Sequence, residues 1–431
     1  AVGLDSKSTG FASNAIGGAS LAAGKFSTAV GHGAKAEAES TLAAGQGAIA
    51  SGEDATAVGH DSQSTGFASN AIGGYSVAKG DYSTAVGSGA RAEKTSDLAA
   101  GQGAIASGGF STAVGQNSKS IGYGSNAIGT TSLAKEDFST AVGYGAHAEK
   151  AADLAAGFNA IASGGQSTAV GFMSQSTGFG SNAIGNLSLA EGYYSTAVGH
   201  GANAKAAYTL AAGFQAIALG GESTAVGFKS QSTGFASNAI GHTSSAEGYR
   251  STAVGYGARA EKEMDLAAGH NANASGGRST AVGLNSKSTG LASNAIGGDS
   301  LAKGNYSTAV GTEARAEKEY DLAAGHEAIA SGKQSTAVGY KTQASGRASF
   351  AQGSYATADG DKSISIGDSS SAATAAKDSV AIGSDAKTKA VNAIAIGNSA
   401  QATGEQSISV GKGNIVSGNN SAAIGNPSNI S

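Results

Sequence analysis

Ser125-Asn126-Ala127-Ile128-Gly129, followed by Ser139-Thr140-Ala141-Val142-Gly143, holds the pattern that decides the fold. The two pentapeptides end in Gly 14 residues apart. Ser-Asn-Ala-Ile-Gly also ends at Gly17, Gly73, Gly185, Gly241 and Gly297, always in steps of 56 residues. Leu-Ala-Ala-Gly and Thr-Ala-Val-Gly variants fill the positions between, as at Gly45 and Gly59, so 56 is four coils of 14. This Gly register runs from Gly3 to Gly367, slips once by two residues to Gly383, and continues to Gly425, for 31 coils. Each coil holds two short alternating segments, as in Thr140-Ala141-Val142 and Leu133-Ala134. Alternation reads as strand, whereas the Gly density and the missing 3.6-residue period exclude helix. Stacked two-strand coils make an all-β parallel solenoid, each strand pairing with its equivalent one coil away. At ~4.8 Å per coil the expected length is on the order of 150 Å.

Side-chain size assigns the faces. The residue two before each key Gly is Ala or Ser, as in Ala15, Ala29 and Ser365. A 14-residue coil leaves its two sheets too close for larger groups, so this position points inward. The next residue therefore points out. There stand Val30, Ile72, Val86, Ile128, Val142, Ile184, Val198, Ile240, Val254, Ile296 and Val310, with Gln352 as the exception. Such an apolar ladder exceeds what a soluble monomer leaves exposed, so burial against other copies is expected. Three Gln352 side chains could then satisfy one another around the axis.

Composition narrows the function. The 431 residues include 69 Gly, one Pro and no Cys, and 13% are charged, against roughly 25% in an average chain. A disulfide scaffold is excluded. So is a basic nucleic-acid binder, since 27 Lys and Arg face 31 Asp and Glu. No apolar run is long enough for a membrane helix, so direct membrane insertion by this segment is not expected. The start at Ala1 reads as a processed chain or an excised piece.

The unit Ser-x-Ala-(Ile/Val)-Gly-x-x-(Ser/Ala)-x-Ala-x-Gly resembles the head repeats of trimeric autotransporter adhesins, the YadA-like family, over essentially the whole chain. That resemblance implies a left-handed β-roll assembled as a homotrimer. It also implies non-enzymatic adhesion to host matrix proteins of the collagen or fibronectin type, or to host cell-surface receptors. Display on a Gram-negative cell surface follows, with an outer-membrane anchor outside this chain. One position departs from the family pattern. Three before the key Gly stand Thr28, Asn70 and Leu98, changing to Ile364, Val380, Ile394 and Ile408 near the end. A regular head of six 56-residue repeats at 1–339 and divergent coils at 340–431, with the slip between Gly367 and Gly383, are expected.

No catalytic set and no cofactor motif is visible, because each Ser, Asp and His sits in a repeating slot. His32, His60, His200, His242, His270 and His326 each follow a key Gly, in a slot that elsewhere holds Tyr144, Phe158 and Phe172. No two of these His are in adjacent coils, so packing is the expected role and no metal site is expected. Phe11 with Phe26, and Phe67 with Tyr82, meet at one corner as an edge cover or an aromatic stripe. The coils ending in Leu-Ala-Ala-Gly lack the second Gly and carry Arg91, Glu93, Lys94, Arg259, Glu261, Arg315 and Glu317. This charged segment is read as a bulged corner and as the candidate lateral ligand surface. The competing reading is a purely structural trimeric fibre or spacer, with binding done elsewhere.

Overall fold

A computed structural model describes residues 1–425 and the strand Asn429–Ile430. It comprises two units, Ala1–Gln215 and Ala216–Ser431, built by the same rule. In the first, each coil supplies a three-residue strand, such as Asn126–Ile128, and a two-residue strand, such as Leu133–Ala134. Each pairs in parallel with its equivalent: Ala127 with Ala141, Ile128 with Val142, Leu133 with His147. The second unit repeats this, pairing Asn238 with Thr252 and Arg259 with Asn273. The offset of 14 becomes 16 where Ile364 meets Val380 and Ser371 meets Lys387. The two extra residues are absorbed between Ala372 and Val380, in small turns closed by Ala376 N donating to Ala373 O at 2.7 Å and Lys377 N to Ala375 O at 3.0 Å. The 14-residue offset then resumes with Val380 opposite Ile394.

The interior is as thin as the coil length requires. Ala127, Ala141, Ala239 and Ala253 are fully buried, as are the Ala of the shorter strands such as Ala134 and Ala260. Among the described residues, the largest side chains wholly removed from solvent are Val416, Asn414, three Thr and four Asp. Where two Ser face each other across the interior they bond: Ser120 with Ser125 at 2.6 Å and Ser288 with Ser293 at 2.6 Å. Each buried hydroxyl thus has a partner, which a cavity this narrow cannot supply as water.

The two corners solve different problems. At the key Gly the backbone takes φ near +130°, as at Gly185 (+133°) and Gly255 (+129°). A Cβ there would stand 2.6 Å from the carbonyl oxygen of Gly199 or 2.5 Å from that of Gly269. The third corner residue is left-handed whatever its type, including Asp61 (50°), Tyr75 (57°) and Phe26 (55°). That geometry costs roughly 1 kcal/mol per non-Gly residue. It is offset by bonds between coils, such as Phe26 N to Phe11 O at 2.8 Å and Asp61 N to Gln46 O at 2.8 Å.

Candidate functional surface

Alternation along the three-residue strands settles which side of them is free. Val30, Ile72, Val86, Ile128, Val142, Ile184, Val198, Ile240, Val254, Ile296 and Val310 all face outward, each 38–42% exposed, while the Ala before each is buried. Gln352 occupies the same outward position, between Val338 and Ile366 in the ladder, and Ala351 beneath it is fully buried. In a single chain the whole apolar ladder is open.

The opposite face carries the charges. Arg91, Arg259 and Arg315 lie in the two-residue strands Arg91–Ala92, Arg259–Ala260 and Arg315–Ala316, so the corner assigned to them from sequence is a strand. The reason is the buried Ala after each Arg, which keeps the inside–outside alternation of the neighbouring coils. Glu93, Glu261 and Glu317 return to the same side and pair with the Arg two residues earlier, at 2.7, 3.4 and 2.9 Å. Lys94 starts the corner that follows. Each of Arg91 and Arg315 is flanked one coil away on both sides by apolar residues, Val77 and Ile105, or Leu301 and Ile329. The aliphatic stems can lie on those neighbours while the guanidinium stays in water. Beside them a shallow groove is lined by Asn285, Lys287, Asp299, Leu301 and Arg315, with Asn285 Nδ2 donating to Asp299 Oδ1 at 3.1 Å. Exposed ion pairs of this kind add at most about 1 kcal/mol each to stability, which leaves them free for a partner.

The expected bulge is absent at the charged segment, whose 14-residue register is unbroken. The distortion sits one coil later and has a cause that sequence reading missed. Asp97, Asp153, Asp265 and Asp321 occupy an interior slot otherwise held by Ser or Thr and are 1% exposed. A hydroxyl there donates to the corner carbonyl three residues back, as Ser27 Oγ does to Gly24 O at 2.6 Å. A carboxylate can only accept. Asp153 Oδ2 takes Lys150 N at 2.9 Å, and Oδ1 reaches into the next coil for Gly165 N (3.0 Å), Ser167 N (2.9 Å) and Ser167 Oγ (2.7 Å). The next corner opens in consequence: Gly109, Gly165 and Gly277 take φ of 84–85°, and Lys333 takes 67°. After Thr41 and Thr209, the equivalent Glu53 and Gly221 show no positive φ. The readable signal was Asp in a Ser/Thr slot four residues before a key Gly. Asp153→Ala should strip three backbone donors of their acceptor and cost about 3 kcal/mol locally, a roughly hundred-fold rise in amide exchange at Lys150, Gly165 and Ser167. Exchange at the wild-type rate would show that the carboxylate holds nothing.

The aromatic residues form two series. After the key Gly, rings stack coil on coil: Tyr144, Phe158 and Phe172 at 5.2 Å spacing in the first unit, and Phe228, His242, Tyr256 and His270 at 4.7–4.9 Å in the second. At the other corner Phe11 meets Phe26 edge-on at 5.7 Å and Phe67 meets Tyr82 at 5.3 Å. Phe179, Tyr193, Tyr194 and Tyr208 form a larger cluster there. These rings lie 37–72% exposed along the edge. Among the described residues no three His, Asp or Glu converge as metal ligands.

The YadA head domain repeat matches the chain in successive two-coil segments, from 8–34, 36–62 and 64–90 through 316–342, 344–370, 375–400 and 402–426. A crystal structure of the collagen-binding domain of Yersinia adhesin YadA is 28% identical, with a TM-score of 0.23, covering 35% of this chain and 68% of that one. No curated protein matches.

Proposed function

The chain belongs to the YadA head domain family, a non-enzymatic adhesin head of the bacterial surface, and from this we propose a homotrimer that holds host matrix or cell-surface proteins through many weak lateral contacts. The observation that carries the reading is the division of faces. Three-residue strands present an open apolar ladder suited to other copies, and two-residue strands present Arg–Glu pairs suited to a wet, reversible contact. We take the three rolls to be left-handed, joined along the ladder, and anchored in a Gram-negative outer membrane by regions outside this chain. Arg259 and Arg315 recur 56 residues apart, about 19 Å at ~4.8 Å per coil. Repeated weak sites on one partner add through effective concentration.

The test replaces Arg91, Glu93, Lys94, Arg259, Glu261, Arg315 and Glu317 with Ala and measures adhesion to collagen, fibronectin and host cells. The trimer should persist while adhesion falls on the order of ten-fold, because avidity is lost at every repeat together. Unchanged adhesion would transfer the role to the aromatic edge, or favour a spacer whose binding lies elsewhere.

A further inference from the structure

The chain has no Cys, no Trp and two Met, but 13 Tyr. A one-electron oxidant that reaches this surface finds no thiol or indole, so phenols are its principal targets. Seven Tyr touch another Tyr. Tyr194 stands 6.0 Å from Tyr208, and Tyr193 stands 4.3 Å from Tyr194 and 5.8 Å from Tyr208. Tyr306 stacks on Tyr320 at 5.2 Å, and Tyr340 meets Tyr355 at 5.4 Å. The other six have Phe or His as ring neighbours: Tyr75, Tyr82, Tyr123, Tyr144, Tyr249 and Tyr256. All seven paired rings are 42–58% exposed.

We propose that Tyr193/Tyr194 with Tyr208, Tyr306 with Tyr320, and Tyr340 with Tyr355 are sites of oxidative dityrosine cross-linking, each joining one coil to the next. Coupling needs two phenoxyl radicals with their ortho carbons adjacent, and coils in fixed register hold the rings that way without further ordering. In two of the sites the phenols themselves touch: Tyr193 is hydrogen-bonded to Tyr194, and Tyr355 to Tyr340, which raises Tyr193 and Tyr355 above the ordinary tyrosine value. The oxidant is a peroxide acting through a haem peroxidase. Each ring gives it one electron and releases its phenolic proton. A carbon–carbon bond then forms between the ortho positions, and the two ortho hydrogens move as protons to the oxygens. The chain loses two hydrogen atoms per link, and one peroxide becomes two waters. The product is a covalent staple closing a loop of one coil, which restricts the unfolded chain as a disulfide would.

The experiment treats the purified full chain with a haem peroxidase and hydrogen peroxide, then reads dityrosine fluorescence, mass on a denaturing gel and tryptic peptides. Lys205, Arg315 and Arg347 lie between the paired Tyr, so each staple joins two peptides. Cross-links at the three sites should exceed those at the six unpaired Tyr about ten-fold or more, with the chain still running singly. Tyr208→Phe, Tyr320→Phe and Tyr355→Phe should each remove their own coil-to-coil link and leave the other two. Links spread evenly over all 13 Tyr, links that mainly join separate chains, or no fluorescence at oxidant levels that consume the Tyr would each overturn the assignment.

Discussion

At micromolar concentration the purified chain is expected to have the mass of a trimer, and Ile184→Asp, Val198→Asp, Ile240→Asp and Val254→Asp together should yield single chains. Ile184 pairs with Val198, and Ile240 with Val254, so each unit loses two successive rungs of the ladder. Each rung still exposes about two-fifths of its surface (Ile240 42%, Val254 39%). Covering that remainder gives about 1–2 kcal/mol per residue, and the gain is collected by three chains at every coil. Four Asp per chain would remove it and bring carboxylates together at the same level, weakening association a thousand-fold or more by these magnitudes, or about 4 kcal/mol and upward. The roll itself should survive, because the replaced side chains point away from the Ala interior. Sedimentation with circular dichroism separates the two effects. A native chain that sediments as a monomer, or a quadruple variant that stays trimeric, would refute the seam.

Gly185→Ala and Gly255→Ala should be the most damaging single replacements within a chain. The φ at these sites, +133° and +129°, is one that residues with a Cβ rarely adopt. The obstacle is the backbone of the next coil, the carbonyl of Gly199 or Gly269, which cannot rotate aside. A local loss of about 4 kcal/mol or more is expected, at the far end of what one substitution does. Gly33→Ala is the control. Its φ of +68° is the ordinary left-handed region, and nothing lies within 4 Å of a Cβ there. It should cost only about 1 kcal/mol. Thermal unfolding and protease sensitivity of the three variants compare them directly. Similar behaviour at Gly185 and Gly33 would mean that close stacking of the key Gly is unimportant.

The fold was legible because its two decisive features are periodic. Ala141 and Val142 differ in size, alternate in direction and recur with the coil, so one rule assigns the inside, the outside and the 14-residue register. The displacement between Gly367 and Gly383 was legible for the same reason. The charged segment was misassigned to a corner because Lys94 replaces a Gly, which drew attention to the turn. Yet Arg91-Ala92 has the same outward–inward order as Ile105-Ala106. The Asp153 clamp stayed hidden because its partners, Gly165 and Ser167, belong to the next coil and lend it mainly backbone groups, which no residue identity announces. The ring contacts were only partly legible. Phe11 and Phe26 announce themselves 15 residues apart, but Tyr194 and Tyr208, 14 apart, meet because both occupy the same left-handed corner position.

The constant pairing offset also governs how such a chain can acquire its structure in time. Within each unit no strand waits for a distant segment: Ala127 needs only Ala141, and Ala141 only Ala155. The first formed coil is costly to nucleate. Every later one is laid on an edge already in place and closes a loop of constant, short length. Folding of each unit can therefore advance as a front, at the pace at which chain is delivered to it. A chain fed from one end, from a ribosome or through a narrow pore, would be drawn forward turn by turn, and the free energy released at the front would work as a ratchet against its return.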